Sequence, residues 1–131
     1  MAKFALLAGS LSGLFAVVFG AFGAHALKAR LSAESLAAFQ TGVQYQMFHA
    51  LALVLTGVLL LQFRELSVSA SSLEWAARLF FAGIILFSGS IYLLTLTDMR
   101  WPGPVTPMGG LCFIVAWAML AMAAYRLHGL S

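Results

Sequence analysis

The chain has 131 residues, of which 63% are hydrophobic and only 8% are charged, and its formal net charge is +3. A soluble domain carries about one-quarter charged residues, and so short a chain cannot bury this much apolar surface within itself. The composition therefore excludes an ordinary soluble domain and favours a protein that lipid surrounds. The basic residues are spread thinly, so neither a nucleic-acid partner nor a polybasic lipid-binding patch is indicated.

The first apolar segment, residues 4–24, contains no charged residue. At a rise of about 1.5 Å per residue, it spans the hydrocarbon core of a bilayer, which is about 30 Å thick. A cleaved secretory signal is the alternative, because Lys3 precedes the apolar run and Ala24-His25-Ala26 resembles a cleavage site. The run is longer than the apolar part of a usual signal, which favours a membrane span.

Small side chains recur along one face of this first span. Such a face lets a second helix approach closely, and dispersion forces then hold the pair together. We therefore predict that this face packs against another span. It consists of Ser12, Ala16, Gly20 and Ala24 at four-residue spacing, with Gly9 and Gly13 as an additional GxxxG pair.

The connection after the first span predicts a short amphipathic helix over residues 32–41. Ser32 is a favourable N-cap, Glu34 suits the positive end of a helix, and apolar residues recur on one face. We expect this helix to lie on the membrane surface and to bend at Gly42 before the second span. The alternative is that it continues directly into that span.

Three further apolar segments complete the predicted membrane domain. Residues 45–63 form the second span, residues 75–97 the third and residues 106–125 the fourth. Thr106 is predicted as the N-cap of the fourth span, with Pro107 as its first helical residue. The third span carries a second seam of small residues at seven-residue spacing, suited to close helix packing. This seam consists of Ala76, Gly83, Ser90 and Thr97.

The loops and termini set the predicted orientation. Residues 67–72 are expected to form a polar loop, residues 98–104 a proline-rich turn, and His128 is expected to lie in water. Four spans place both termini on one side, and the positive-inside rule predicts that this side is the cytoplasm. The side of the termini carries four basic residues, and the opposite side carries three. These are Lys3, Arg64, Arg78 and Arg126 on the first side and Lys28, Arg30 and Arg100 on the second.

A polar cluster is predicted inside the membrane, near the start of the second span. Tyr45 and Gln46 precede His49 by four and three residues, so a helix places them on adjacent parts of one face. Polar side chains facing lipid are costly, and we expect these to turn toward the other helices. His25 would approach His49 if the connecting helix folds back. The predicted cluster comprises His25, Gln44, Tyr45, Gln46, His49, Ser88, Ser90 and Tyr92.

Four roles are open for this cluster. His25 and His49 are a poor pair of metal ligands, since no cysteine or membrane carboxylate accompanies them. A proton relay or transport path suits histidine, but no Asp, Glu or Lys lies at the centre of a span. A site for a lipid head group or small polar molecule fits the predicted depth. We favour a structural role, in which hydrogen bonds of about 1 kcal/mol each select one packing arrangement.

The sequence contains no motif for catalysis or nucleotide binding. The GxSxG, HExxH, P-loop and dinucleotide-binding patterns are all absent from the 131 residues. We therefore predict a non-enzymatic protein with no catalytic residue, no metal and no cofactor.

Four blocks of the sequence carry a family resemblance. They are GAFGAHALK (20–28), FQTGVQYQMFHALAL (39–53), LFSGSIYLL (86–94) and TPMGG (106–110). They resemble the YgdD-like family of small bacterial inner-membrane proteins, a domain of unknown function with relatives in eukaryotes. The resemblance covers nearly the whole chain in the right order, although the turn at 98–104 is richer in proline. It implies a multi-pass membrane protein without established activity, cofactor or catalytic residues, so no functional residue is transferred.

These observations predict an all-α protein with one membrane domain over residues 1–131. Four transmembrane helices form its bundle, with a short amphipathic helix between the first and the second. The predicted role is structural, assembly-related or lipid-interacting in the cell inner membrane, with lipid, a second copy or another membrane protein as partner. The alternative is an oligomeric transporter or channel component for a small solute or ion that uses the polar cluster around His49.

Overall fold

The computed structural model describes residues 1–65 and 69–127. Four long helices dominate these residues, and each is long and apolar enough to cross a membrane, which confirms the predicted fold class. Two of the helices contain one π-helical turn each, at Phe19–Gly23 and Ile84–Ser88. Residues 67 and 68 of the predicted loop, and His128, lie outside the described residues. The helices are α1 (Ala2–Leu27), α2 (Ala33–Glu65), α3 (Ser71–Leu96) and α4 (Val105–Tyr125).

α2 departs most from its prediction. The amphipathic helix expected over residues 32–41 is not a separate element, because one helix runs without a break through Gly42. Gly42 is a contact point instead of a bend, since a Cβ there would lie 3.0 Å from Cγ2 of Ile91. The first turns of α2 also pack inward: Phe39 is buried, with its ring centroid 5.4 Å from that of Tyr92. Packing against α3 therefore makes these turns part of the bundle.

The starts of α2 and α4 test two predicted helix caps. The Ser32 cap is confirmed, because its hydroxyl accepts a hydrogen bond of 3.1 Å from the backbone N–H three residues later. The cap predicted at Thr106 is wrong, since α4 already begins at Val105. The residue before it is Pro104, whose φ of −66° suits a helix start and so brings the beginning forward. Pro107 accordingly lies inside the first turn.

The small-residue face predicted on α1 lies against α2. A Cβ at Gly9 would lie 2.9 Å from the backbone nitrogen of Val54, and one at Gly20 would lie 3.2 Å from Cγ1 of Val43. Ala16 on the same face is buried. Helices can approach this closely only where side chains are minimal. The remaining predicted members of the face, Ser12, Gly13 and Ala24, are half-buried.

α3 and α4 are in equally close contact. A Cβ on Gly109 would overlap the backbone nitrogen of Phe87, and one on Gly83 would overlap the ring of Phe113. Ala76 from the predicted α3 seam is fully buried in the same core. The last member of that seam, Thr97, lies just past the end of α3.

One end of the bundle brings the start of α1 close to the end of α4. Leu60 and Phe63 from the end of α2 pack with Leu73 from the start of α3 and Ala123 from the end of α4. Ala2 at the start of α1 packs against the same cluster. The four helices therefore run alternately up and down, with α2 in contact with all three others.

Candidate functional site

His49 lies in the interior, and both of its ring nitrogens take part in hydrogen bonds. Nδ1 is 2.7 Å from the backbone carbonyl oxygen of Tyr45, and Nε1–H of Trp117 donates to Nε2 over 3.2 Å. Since a carbonyl oxygen only accepts, the proton belongs on Nδ1, and Nε2 is the acceptor. The arrangement defines one neutral tautomer and leaves no ring nitrogen free for a metal ion or a solute.

Aromatic rings hold the His49 imidazole on several sides. It stacks on Phe113, with centroids 3.5 Å apart and planes inclined by 7°. Phe80 lies 5.9 Å away, and Trp117 meets the imidazole edge-on at 6.1 Å. Only 6% of His49 is exposed, so its ring orientation is fixed by packing as well as by hydrogen bonds.

This site lies near the middle of the two helices that form it. Because α2 begins at Ala33 instead of near residue 45, His49 is equally far from Ala33 and from Glu65. Its partner Trp117 lies about 18 Å along α4 from Val105 and about 12 Å from the other end, at 1.5 Å per residue. The His49–Trp117 bond is therefore far from both ends of the two helices that it joins.

Gln46 connects three helices. Its Nε2 donates to the backbone carbonyl oxygen of Ser12 in α1 over 2.8 Å. The hydroxyl of Tyr92 in α3 donates to its Oε1 over 2.5 Å. With only 5% of Gln46 exposed, the two bonds satisfy both ends of the amide where lipid could not.

Two serines of α3 extend the network. Ser88, at the end of the π-helical turn, donates its hydroxyl to the backbone carbonyl oxygen of Gly42 in α2 over 2.7 Å. The Ser90 hydroxyl bonds to the carbonyl oxygen of Phe87 and to the hydroxyl of Thr106 in α4. We call these bonds, together with those of Gln46 and His49, the interhelical network.

Some predicted members do not join this network. His25 and Gln44 are exposed, and none of the described hydrogen bonds or ring contacts connects His25 with His49. Tyr45 contributes its backbone carbonyl, while its ring packs 4.7 Å from that of Phe87. The structure therefore does not bring together the two histidines that a shared metal site would need.

Two important partners were missed in the sequence, namely Trp117 and Thr106. Tryptophan normally collects at membrane interfaces, whereas Trp117 lies in the middle of an apolar run. An indole N–H at that depth needs an acceptor, so its position was a usable signal for a buried partner. Thr106 was assigned to a helix cap, which concealed its contact with Ser90.

A groove of 630 Å³ lies beside Gln46, between α1 and α3. Its walls are mostly aliphatic and aromatic, and they include Leu7, Leu11 and Ile85. His49 does not line it. The groove therefore offers an apolar surface next to the interhelical network but gives no access to the imidazole.

The fold and the site define a multi-pass integral membrane protein whose helices are joined by hydrogen bonds at mid-depth. The chain belongs to the family described as "Protein of unknown function (DUF423)", whose model matches residues 19–110. It is 40% identical over 127 residues to UPF0382 membrane protein SAB0533 of Staphylococcus aureus (strain bovine RF122 / ET3-1). The aligned region covers 97% of this chain and 99% of the relative.

Two further relatives have the same kind of name. UPF0382 membrane protein YwdK of Bacillus subtilis (strain 168) is 40% identical over 124 residues, covering 95% of this chain and 98% of the relative. UPF0382 membrane protein SH2409 of Staphylococcus haemolyticus (strain JCSC1435) is 38% identical over 127 residues, covering 97% and 99%. No solved structure matches the chain. The family is thus one of membrane proteins whose activity is not established.

Proposed function

We propose that the protein works without catalysing a reaction, in a structural, assembly or lipid-interaction role in the bacterial inner membrane. The observation that supports this most is the interhelical network, in which polar groups of all four helices form hydrogen bonds with one another. Among the described residues, no buried side-chain nitrogen or oxygen lacks a hydrogen-bond partner. Polar groups that are already paired stabilise a packing arrangement and are not available to a substrate.

Transport receives less support from the same geometry. A transported ion or proton needs a polar group that it can meet, and both ring nitrogens of His49 are engaged. The groove beside Gln46 is lined almost entirely by apolar side chains, which gives an ion no favourable path. Four helices enclose little space, so an aqueous path would require several copies of the chain.

The sequence motifs and the basic residues also bear on the family, orientation and partners of the protein. The motifs at residues 20–28 and 39–53 support a place in the YgdD-like family, and the basic residues near the termini support termini that face the cytoplasm. Membrane lipid is the immediate partner, and a second copy or another membrane protein is the partner in an assembly role.

A flux assay with purified protein tests the proposal. Wild type, His49→Ala and the exposed control Gln44→Ala are reconstituted into liposomes with a trapped pH dye, and proton and potassium flux are measured. We expect no flux above that of empty liposomes for any of them, while His49→Ala lowers the thermal unfolding midpoint. Flux through the wild type would overturn the proposal, and its loss in a folded His49→Ala would assign the path to the polar cluster.

A further inference from the structure

Two aromatic pairs bridge α1 and α3 at opposite ends of the groove. The rings of Phe4 and Phe81 meet edge-on at 5.1 Å, and those of Phe19 and Tyr92 meet edge-on at 5.3 Å. Between the pairs, Gly89 supplies no side chain, and a Cβ there would meet nothing within 4 Å. The groove is therefore open space inside the span, bounded by two points where α1 and α3 touch.

The dimensions of the groove decide what can occupy it. Along α1 it extends from Phe4 to Phe19, which is about 22 Å at the rise of an α-helix. Even the whole empty space between its walls, about 1190 Å³ including the part open to the surroundings, gives a mean cross-section of about 54 Å², whereas a helix about 10 Å in diameter needs about 79 Å². A second copy could insert only side chains, but a single hydrocarbon chain is thin enough to lie along the whole length.

The walls of the groove match a hydrocarbon chain and not a head group. The groove is lined by apolar side chains and carries no charged residue. Its polar members are Ser12, Gln46 and Tyr92, and the Gln46 amide and the Tyr92 hydroxyl are already bonded to each other. The Ser12 hydroxyl alone is too little to hold a phosphate or an ion in the membrane.

We propose that this groove binds one acyl chain of a membrane lipid and holds it as part of the folded protein. The proposal rests on the membrane location given in the proposed function and deepens its lipid-interaction role. The chain lies against α1 and α3 and covers the Gln46–Tyr92 bond from the lipid side. It fills the space that Gly89 leaves open and so supports α1, whose other main contact is α2.

The test blocks the groove and measures lipid labelling. Gly89→Leu places a side chain in the open space, and Ala118→Leu adds the same side chain on an exposed face of α4 that does not line the groove. Each protein is reconstituted into phosphatidylglycerol vesicles that contain a phospholipid with a mid-chain diazirine. After irradiation, mass spectrometry locates the labelled peptides. Leu11→Trp, which fills the groove from the opposite wall, serves if Gly89→Leu does not fold.

Wild type and Ala118→Leu should carry label at Leu11 and Ile85, and labelling there should fall about tenfold in Gly89→Leu. Equal labelling of the wild type and Gly89→Leu, or even labelling of every lipid-facing helix, would overturn the acyl-chain site. A wild-type dimer in light scattering that Gly89→Leu dissociates and Ala118→Leu does not would assign the groove to a second copy and overturn it too. Ion flux through the wild type would instead overturn the proposed function and leave the labelling result standing.

Discussion

Two of the interfaces of α3, with α4 and with α1, use glycine in opposite ways. Toward α4, Gly83 and Gly109 lie where any side chain would overlap a neighbouring ring or backbone, so the two helices are in tight contact. Toward α1, Gly89 borders a groove in which nothing lies within 4 Å of the missing Cβ. A small residue in a membrane helix therefore marks either the closest contact or open space. Sequence alone does not separate the two.

The largest loss of stability is expected at the close contact between α3 and α4. Gly109→Ala should lower the free energy of unfolding by about 3 kcal/mol, because its Cβ would overlap the Phe87 backbone, which cannot move aside as a side chain would. Gly110→Ala is the matched control, since its Cβ would lie 4.0 Å from the Phe87 ring. Unfolding by denaturing detergent measures both. Similar unfolding curves for the two variants would show that α3 and α4 are not in such close contact.

The next largest loss of stability is expected at Gln46, which lines the groove. Gln46→Leu removes the contacts with Ser12 and Tyr92 and should cost about 2 kcal/mol, at about 1 kcal/mol for each interhelical bond. The exposed Gln44→Leu should stay within about 0.5 kcal/mol of the wild type. In Gln46→Leu, the further change Tyr92→Phe should cost less than it does in the wild type. Equal costs of Tyr92→Phe in both backgrounds would contradict the coupling.

A smaller loss of stability is expected when the hydrogen bond between Trp117 and His49 is removed. Trp117→Phe removes the N–H that His49 accepts but keeps an aromatic ring against Phe80, so it should cost about 1 kcal/mol. Trp101→Phe, in the exposed turn, is the control and should change stability by less than about 0.5 kcal/mol. The N–H proton of the Trp117 indole should also show a shifted NMR resonance that exchanges slowly with solvent. A resonance that exchanges as fast as that of Trp101 would argue against the bond.

The smallest change in stability is expected in the groove between α1 and α3. Gly89→Ala meets no neighbour and replaces the most flexible residue in a helix, so it should raise the free energy of unfolding by about 0.5 kcal/mol. Set beside Gly109→Ala, the same substitution then has opposite signs on the two interfaces of one helix. A loss of stability at position 89 would mean that the groove is narrower than the structure has it.

The four spans could be predicted because length and hydropathy decide them, whereas their limits depend on packing. Hydropathy placed the start of the second span near residue 45, since the preceding turns are polar. Contacts of Phe39 and Gly42 with α3 extend the helix back to Ala33, and such contacts leave no mark in a hydropathy pattern. His49 consequently lies at the middle of α2 and not in its first turns.

Part of the site could be predicted because a polar side chain exposed to lipid is unfavourable in free energy. Spacing on one helix face indicated that Gln46 and His49 turn inward, but it gave no information on which atoms of other helices they meet. The partner of Gln46 in α1 is a backbone carbonyl, which every residue carries, so no sequence signal could single out Ser12. For His25 the sequence was misleading. Its place beside the connection to the second span suggested a contact with His49, and the described hydrogen bonds and ring contacts contain none.

The unbroken length of α2 has a consequence for how the protein sits in its bilayer. Its 33 residues make a rod of about 50 Å, against a hydrocarbon thickness of about 30 Å. The shorter α4 nearly matches that thickness, so the excess of α2 must project or tilt beyond the lipid tails. Bilayers of different thickness would cover this projecting part to different extents, which gives the molecule an inherent preference among them.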